Sequence, residues 1–171
     1  MEQMIRVLVV DDHDIVRQGL RAMLESKGGI VVIGDAGDGE QAVIQARLLM
    51  PDVILMDLEM PRKNGISAIR DIIAEQPAAR ILVLSSFSED SQIVESMRAG
   101  ALGYLLKTAK LDDLVTAIRQ INNGETPLNP LVARRLGVSM ASQRAEPNLL
   151  EGLTDRELMI RPLVVRGMTN K

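Results

Sequence analysis

The chain has no cysteine and no tryptophan, and only one phenylalanine, one tyrosine and one histidine among its 171 residues. Without cysteine there can be no disulfide, no thiolate nucleophile and no Cys-ligated zinc, which fits a reducing compartment. The single histidine, His13, excludes a catalytic dyad of histidines and a His-ligated metal site. With so few rings the core must be aliphatic, built from Ile, Leu and Val with help from ten methionines, each read first as packing. No apolar run approaches the length of a membrane span. The start, Met1-Glu2-Gln3-Met4-Ile5-Arg6, lacks a basic segment followed by an apolar one. The expectation is a cytoplasmic protein with no membrane partner.

Charge is unevenly spread within a net value of −3. Residues 1–125 carry 13 basic and 19 acidic side chains, and residues 126–171 carry 7 and 4. The acidic front part is therefore a poor ligand for a polyanion, whereas the basic tail suits either polyanion contact or a solvated linker.

Short apolar runs alternate with segments of helical period. Strands are expected at 5–10, 30–35, 53–57, 80–85 and 103–106. Between them Val16, Leu20, Met23 and Leu24 share a helical stripe, as do Ala42, Val43, Ala46 and Leu49. Ile66, Ile69, Ile72 and Ile73 form a third, Ile93, Val94 and Met97 a fourth, and Leu111, Leu114, Val115, Ile118 and Ile121 a fifth. Five successive βα units with nearly continuous apolar strands predict an α/β fold, a parallel sheet covered by helices on both faces. Asn123-Gly124 reads as a left-handed stop for the last helix, and the first domain is expected to occupy 1–124. Pro127, Pro130 and Pro147, with polar residues among them, mark 125–152 as a linker, with a short helix near Leu131 to Leu136.

The chemistry collects where strands end. Asp11-Asp12 follow the first expected strand, Asp57 closes the third and Lys107 follows the fifth. In a parallel sheet these groups converge at the carboxyl edge, where open α/β sheets place their ligands. Three carboxylates in one place need a cation, and Mg²⁺ suits them as a hard ion with a preference for oxygen. An acidic pair after a strand can also simply favour a helix amino terminus; Asp57 and Lys107 at matching strand ends argue for the cluster.

Four pieces, Val9-Val10-Asp11-Asp12-His13, Met56-Asp57-Leu58-Glu59-Met60-Pro61 with Asn64-Gly65, Leu84-Ser85-Ser86 and Gly103-Tyr104-Leu105-Leu106-Lys107, stand in this order. Across about residues 4–124 the sequence resembles the receiver domain of two-component response regulators. The resemblance implies a flavodoxin-like (βα)5 receiver with Asp57 as phosphoacceptor. It also implies Mg²⁺ held by Asp12 and Asp57, by Asp11 directly or through water, and by the backbone carbonyl of Glu59. Lys107 would pair with a phosphoryl oxygen. Ser85 would reach the phosphoryl group, and Ser85 and Tyr104 would form the switch. Tyr104 read without the resemblance is a packed strand aromatic, Ser86 a loop residue, Gly65 a turn residue and His13 a polar neighbour of the acids. Thr108 stands where many receivers have proline; a cis bond there would cost about 2.5–4 kcal/mol without it.

Leu153-Thr154-Asp155-Arg156-Glu157 and Val164-Val165-Arg166-Gly167-Met168-Thr169-Asn170-Lys171 resemble the opening of a LuxR-type helix-turn-helix domain, as in the NarL/FixJ class. Thr154 and Glu157 have the spacing of a capping box, and Pro162 interrupts the expected helix. Residues 153–171 are thus expected to be the start of a truncated output domain, with no positions onto which recognition residues can be carried. The whole reads as a response regulator, not an enzyme beyond its own phosphoryl transfer. It would be phosphorylated by a sensor histidine kinase, form a homodimer on phosphorylation and control transcription through DNA. The alternative is a stand-alone receiver acting by protein contact or as a phosphate sink. A third class, an aspartate-nucleophile phosphatase, usually needs two Asp two residues apart after one strand; here Asp11 and Asp12 are adjacent.

Overall fold

The computed structural model describes residues 2–127, 132–138 and 141. Its first compact unit, Met1–Ala133, contains β1 (Ile5–Val10), α1 (Asp14–Ser26), β2 (Ile30–Ala36), α2 (Gly39–Leu49), β3 (Val53–Met56), α3 (Gly65–Glu75), β4 (Ile81–Ser85), α4 (Asp90–Ala99), β5 (Gly103–Leu106) and α5 (Leu111–Asn122). The five strands form one sheet in the order β2-β1-β3-β4-β5, and every pairing is parallel. This is the flavodoxin-like arrangement. The strand order reverses at β1, so the carboxyl ends of β1 and β3 flank the switch point where ligands of such sheets bind.

Burial explains why the strands read as unbroken apolar runs. All of β3 and β4 is buried, as are the last four residues of β1, because helices cover both faces. On one face Val7, Val9, Leu55, Leu82 and Leu105 pack with Leu20 and Leu24 of α1 and with Leu114, Ile118 and Ile121 of α5. The other face is covered by α2, α3 and α4, which pack in series.

Local chemistry sets several helix ends. Asp38 caps α2 by accepting from Gln41 N, and Asn64 caps α3 by accepting from Ser67 N. Gly124 adopts φ 83° after α5. Its N–H donates to Ile121 O while Glu125 N–H donates to Gln120 O, the paired bonds of a Schellman stop. Residues 132–138 are helical, which overlaps the short helix expected there. The expected capping box, Pro162 and the rest of 153–171 lie outside the described residues.

Methionine is where the packing expectation divides. Met56 is fully buried, whereas Met4, Met23 and Met50 are exposed. On α1 the sheet and α5 cover only the strip through Leu20 and Leu24, leaving Met23 outside it.

Candidate functional site at the carboxyl edge

The sheet carries Asp11, Asp57 and Lys107 to one place through its backbone. Asp57 N–H donates to Val10 O at 2.9 Å, Asp11 N–H to Ala36 O at 3.1 Å and Lys107 N–H to Ser85 O at 2.8 Å. Each residue after a strand end is thereby tied to the neighbouring strand. Asp11 and Asp57 are 2 % and 5 % exposed. Lys107 Nζ stands 2.6 Å from Asp11 Oδ2 and 3.2 Å from Asp57 Oδ2. One ammonium is shared by two buried carboxylates. An open cleft of about 680 Å³ lies over them, lined among others by Asp12, Asp57, Met60, Phe87 and Gln92.

Burial pushes the Asp57 carboxyl above its ordinary range, and the Asp11 charge adds to that. Lys107 and the Glu59 backbone N–H oppose the rise. For Lys107 burial works against the ammonium, yet Asp11 and Asp57 outweigh it and hold the group above its usual value. The lysine is therefore charged, while the site as a whole keeps an excess of negative charge.

Asp12 and His13 stand beside this pair. His13 N–H and Nδ1 lie 2.9 and 3.1 Å from Asp11 Oδ1. Nδ1 also lies 2.9 Å from Asp12 Oδ1, but without the alignment of a hydrogen bond, so that buried oxygen has no hydrogen-bond partner. Ligand atoms of Asp11, Asp12 and His13 fall within 4.8 Å of one another. Lone pairs without a donor, next to a second carboxylate, fit a hard divalent cation such as Mg²⁺. Asp57 and Glu59 line the same cleft as Asp12.

Tyr104 is fully buried. Its hydroxyl donates to Phe87 O at 2.7 Å, and burial raises its pKa against a bond with Ser85. Ser85 Oγ accepts from Phe87 N at 3.2 Å. Both expected switch residues thus hold the same loop residue. The Lys107–Thr108 peptide is trans.

A family model described as the response regulator receiver domain matches residues 7–119. The chain belongs to this family. It is 45% identical over 170 residues to the transcriptional regulatory protein LiaR of Bacillus subtilis, covering 98% of this chain and 80% of that protein. It is 38% identical over 167 residues to the response regulator protein VraR of Staphylococcus aureus, covering 98% and 78%. Among solved structures, a LuxR-family two-component response regulator from Aurantimonas superposes with a TM-score of 0.76 at 34% identity, covering 81% of this chain and 99% of that one. These relatives are named as regulators, not as enzymes.

Several residues of the receiver site escaped the sequence reading. Arg17 Nη1 donates to Asp11 O at 2.6 Å and so braces the acidic loop from α1, a contact no local spacing announces. Ser86 lines the cleft. Gly65 is the first residue of α3, and its φ is not positive. A Cβ there would collide with the Asp57 carbonyl oxygen and stand 2.8 Å from Leu58 Cα. Close approach to the Asp57 backbone is what requires glycine. Among the described residues no helix is long and apolar enough to cross a membrane.

Proposed function

We propose that the receiver takes a phosphoryl group onto Asp57 from a sensor histidine kinase and that this controls transcription through a DNA-binding output domain. The observation that carries the reading is the shared Lys107. A buried acceptor carboxylate beside a second one has a cation at 3.2 Å and an open cleft in front of it. An Asp57 oxygen attacks phosphorus, the bond from phosphorus to the donor breaks with its electrons leaving on the donor, and an acyl phosphate remains. Positioning and neutralisation dominate such a transfer. Lys107 pairs with a phosphoryl oxygen as a point charge. Asp11, Asp12, Asp57 and the Glu59 carbonyl would hold Mg²⁺, which supplies charge neutralisation for the incoming anion. Ser85 turns its hydroxyl to the phosphoryl group, and Tyr104 moves with the Phe87 loop.

The wider setting follows the relatives. LiaR is named a transcriptional regulatory protein, and a solved structure is titled as two RcsB dimers bound to two parallel DNAs. We infer a cytoplasmic regulator with residues 1–124 as receiver, 125–152 as linker and 153–171 as the opening of the output domain. It dimerises on phosphorylation. Intact mass after incubation with acetyl phosphate and Mg²⁺ tests the acceptor: one phosphoryl group on wild type and none on Asp57→Asn. Equal labelling of the variant would place the acceptor elsewhere.

A further inference from the structure

The loop between β3 and α3 carries Glu59, and it is gripped from outside the site. Gly39 opens α2 and donates its N–H to Lys63 O at 3.0 Å. A side chain at Gly39 would collide with that same oxygen and stand 2.9 Å from the Lys63 carbonyl carbon. Asp38, the preceding residue, is 2 % exposed. One of its oxygens accepts from Gln41 N at 2.9 Å, and the other faces Arg62 Nε at 3.6 Å.

The gripped corner is a special one. Arg62 has φ 66°, a left-handed conformation that a non-glycine residue keeps only where its surroundings hold it. Lys63 is paired through its ammonium with Asp71 of α3. At the inner end of the loop Gly65 N–H donates to Leu58 O at 2.9 Å, and a Cβ on Gly65 would collide with the Asp57 carbonyl oxygen. Between these two fixed ends lies Glu59, which lines the cleft together with Asp57 and whose backbone N–H favours the ionised Asp57 carboxylate.

We propose that Asp38 and Gly39 are positioning residues of the phosphoryl site: they lock the Arg62–Lys63 corner so that the loop delivers the Glu59 backbone to Asp57. Neither residue touches the reacting atoms. Their effect passes through a backbone carbonyl on one side and a guanidinium on the other. This rests on the phosphoacceptor reading given above, and deepens it by extending the site to the start of α2.

The test uses the full chain with Gly39→Ala, Asp38→Asn and, as control, Gly19→Ala, where an added Cβ meets nothing within 4 Å. Amide exchange over residues 58–64 is measured with urea stability. The Mg²⁺ dependence of acetyl phosphate labelling is measured beside them. Gly39→Ala should speed exchange in 58–64 and raise the apparent Mg²⁺ constant roughly tenfold, the scale on which partners behind metal ligands act. The rate at saturating Mg²⁺ should change much less. Asp38→Asn keeps an equally good cap but loses the charge facing Arg62, and should show a smaller shift of the same kind; it decides the matter if Gly39→Ala does not fold. A fall in global stability with the Mg²⁺ constant and the 58–64 exchange unchanged would overturn the proposal. Absence of labelling in wild type would instead remove the phosphoacceptor reading, while the exchange data would still judge the grip on the loop.

Discussion

Lys107 Nζ lies closer to Asp11 Oδ2, at 2.6 Å, than to Asp57 Oδ2, at 3.2 Å. The lysine is held mainly by Asp11, with its charge shared toward Asp57, the proposed acceptor. Two buried acids facing each other across the switch point are tolerable because this ammonium lies between them. A phosphoryl group on Asp57, as proposed, would bring further oxygens toward the same cation.

Removing that cation should therefore be costly in the metal-free protein. Lys107→Ala leaves the Asp11 and Asp57 charges facing each other, and should destabilise the receiver by about 1–3 kcal/mol. The cost stays below that of a fully interior orphaned charge because the cleft admits water. Urea denaturation with and without Mg²⁺ checks it, and Mg²⁺ should recover more stability in the variant than in wild type. An identical metal response in both would show that Lys107 does not share its role with the cation.

Asp57 itself should oppose folding when ionised. Its carboxyl titrates above the ordinary 3.8, with burial the largest cause and Lys107 acting the other way. A raised folded pKa means the proton is held more tightly in the folded state, so stability falls as pH rises from about 4 through the folded value. In chelator, Asp57→Asn should resist urea better than wild type at pH 7, and the gap should close below about pH 4. Equal midpoints at both pH values would mean that Lys107 cancels the burial.

Gly65→Ala should damage both fold and site. The added methyl collides with the Asp57 carbonyl oxygen, and backbone cannot yield as a flexible side chain can. Overpacking of this kind costs about 1–3 kcal/mol, and labelling by acetyl phosphate should drop with it. A variant with wild-type urea midpoint and wild-type labelling would refute the close-approach argument.

Tyr104→Phe keeps the buried ring and deletes the hydroxyl, with its bond to Phe87 O and its interaction with Ser85. The expected loss is about 0.5–1.5 kcal/mol, the usual net worth of one hydrogen bond. Amides of residues 86–89 should exchange faster, while those of β5 should not. Uniform acceleration across the sheet would show that the hydroxyl supports the whole fold and not this loop.

The sequence by itself determined the framework: five apolar runs bounded by turn residues, five helical stripes, and acids or a lysine at the strand ends. These are local signals, because a strand buried on both faces must be apolar throughout and a helix with one covered face must repeat every three to four residues. The strand ends named Asp11, Asp12, Asp57 and Lys107 for the same reason. Tertiary structure alone decided the rest. That Lys107 favours Asp11, that Arg17 braces the Asp11 carbonyl and that Tyr104 bonds to Phe87 are contacts between residues distant in the chain or dependent on rotamer. Gly65 shows the difference most sharply. Its letter in the sequence suggested a turn, and only the approach of the Asp57 backbone revealed that the space beside it, not its φ, excludes a side chain. Gly39 is the same case on the outer side of the loop: no local pattern links it to Lys63, and the packing of α2 against that loop alone brings them together.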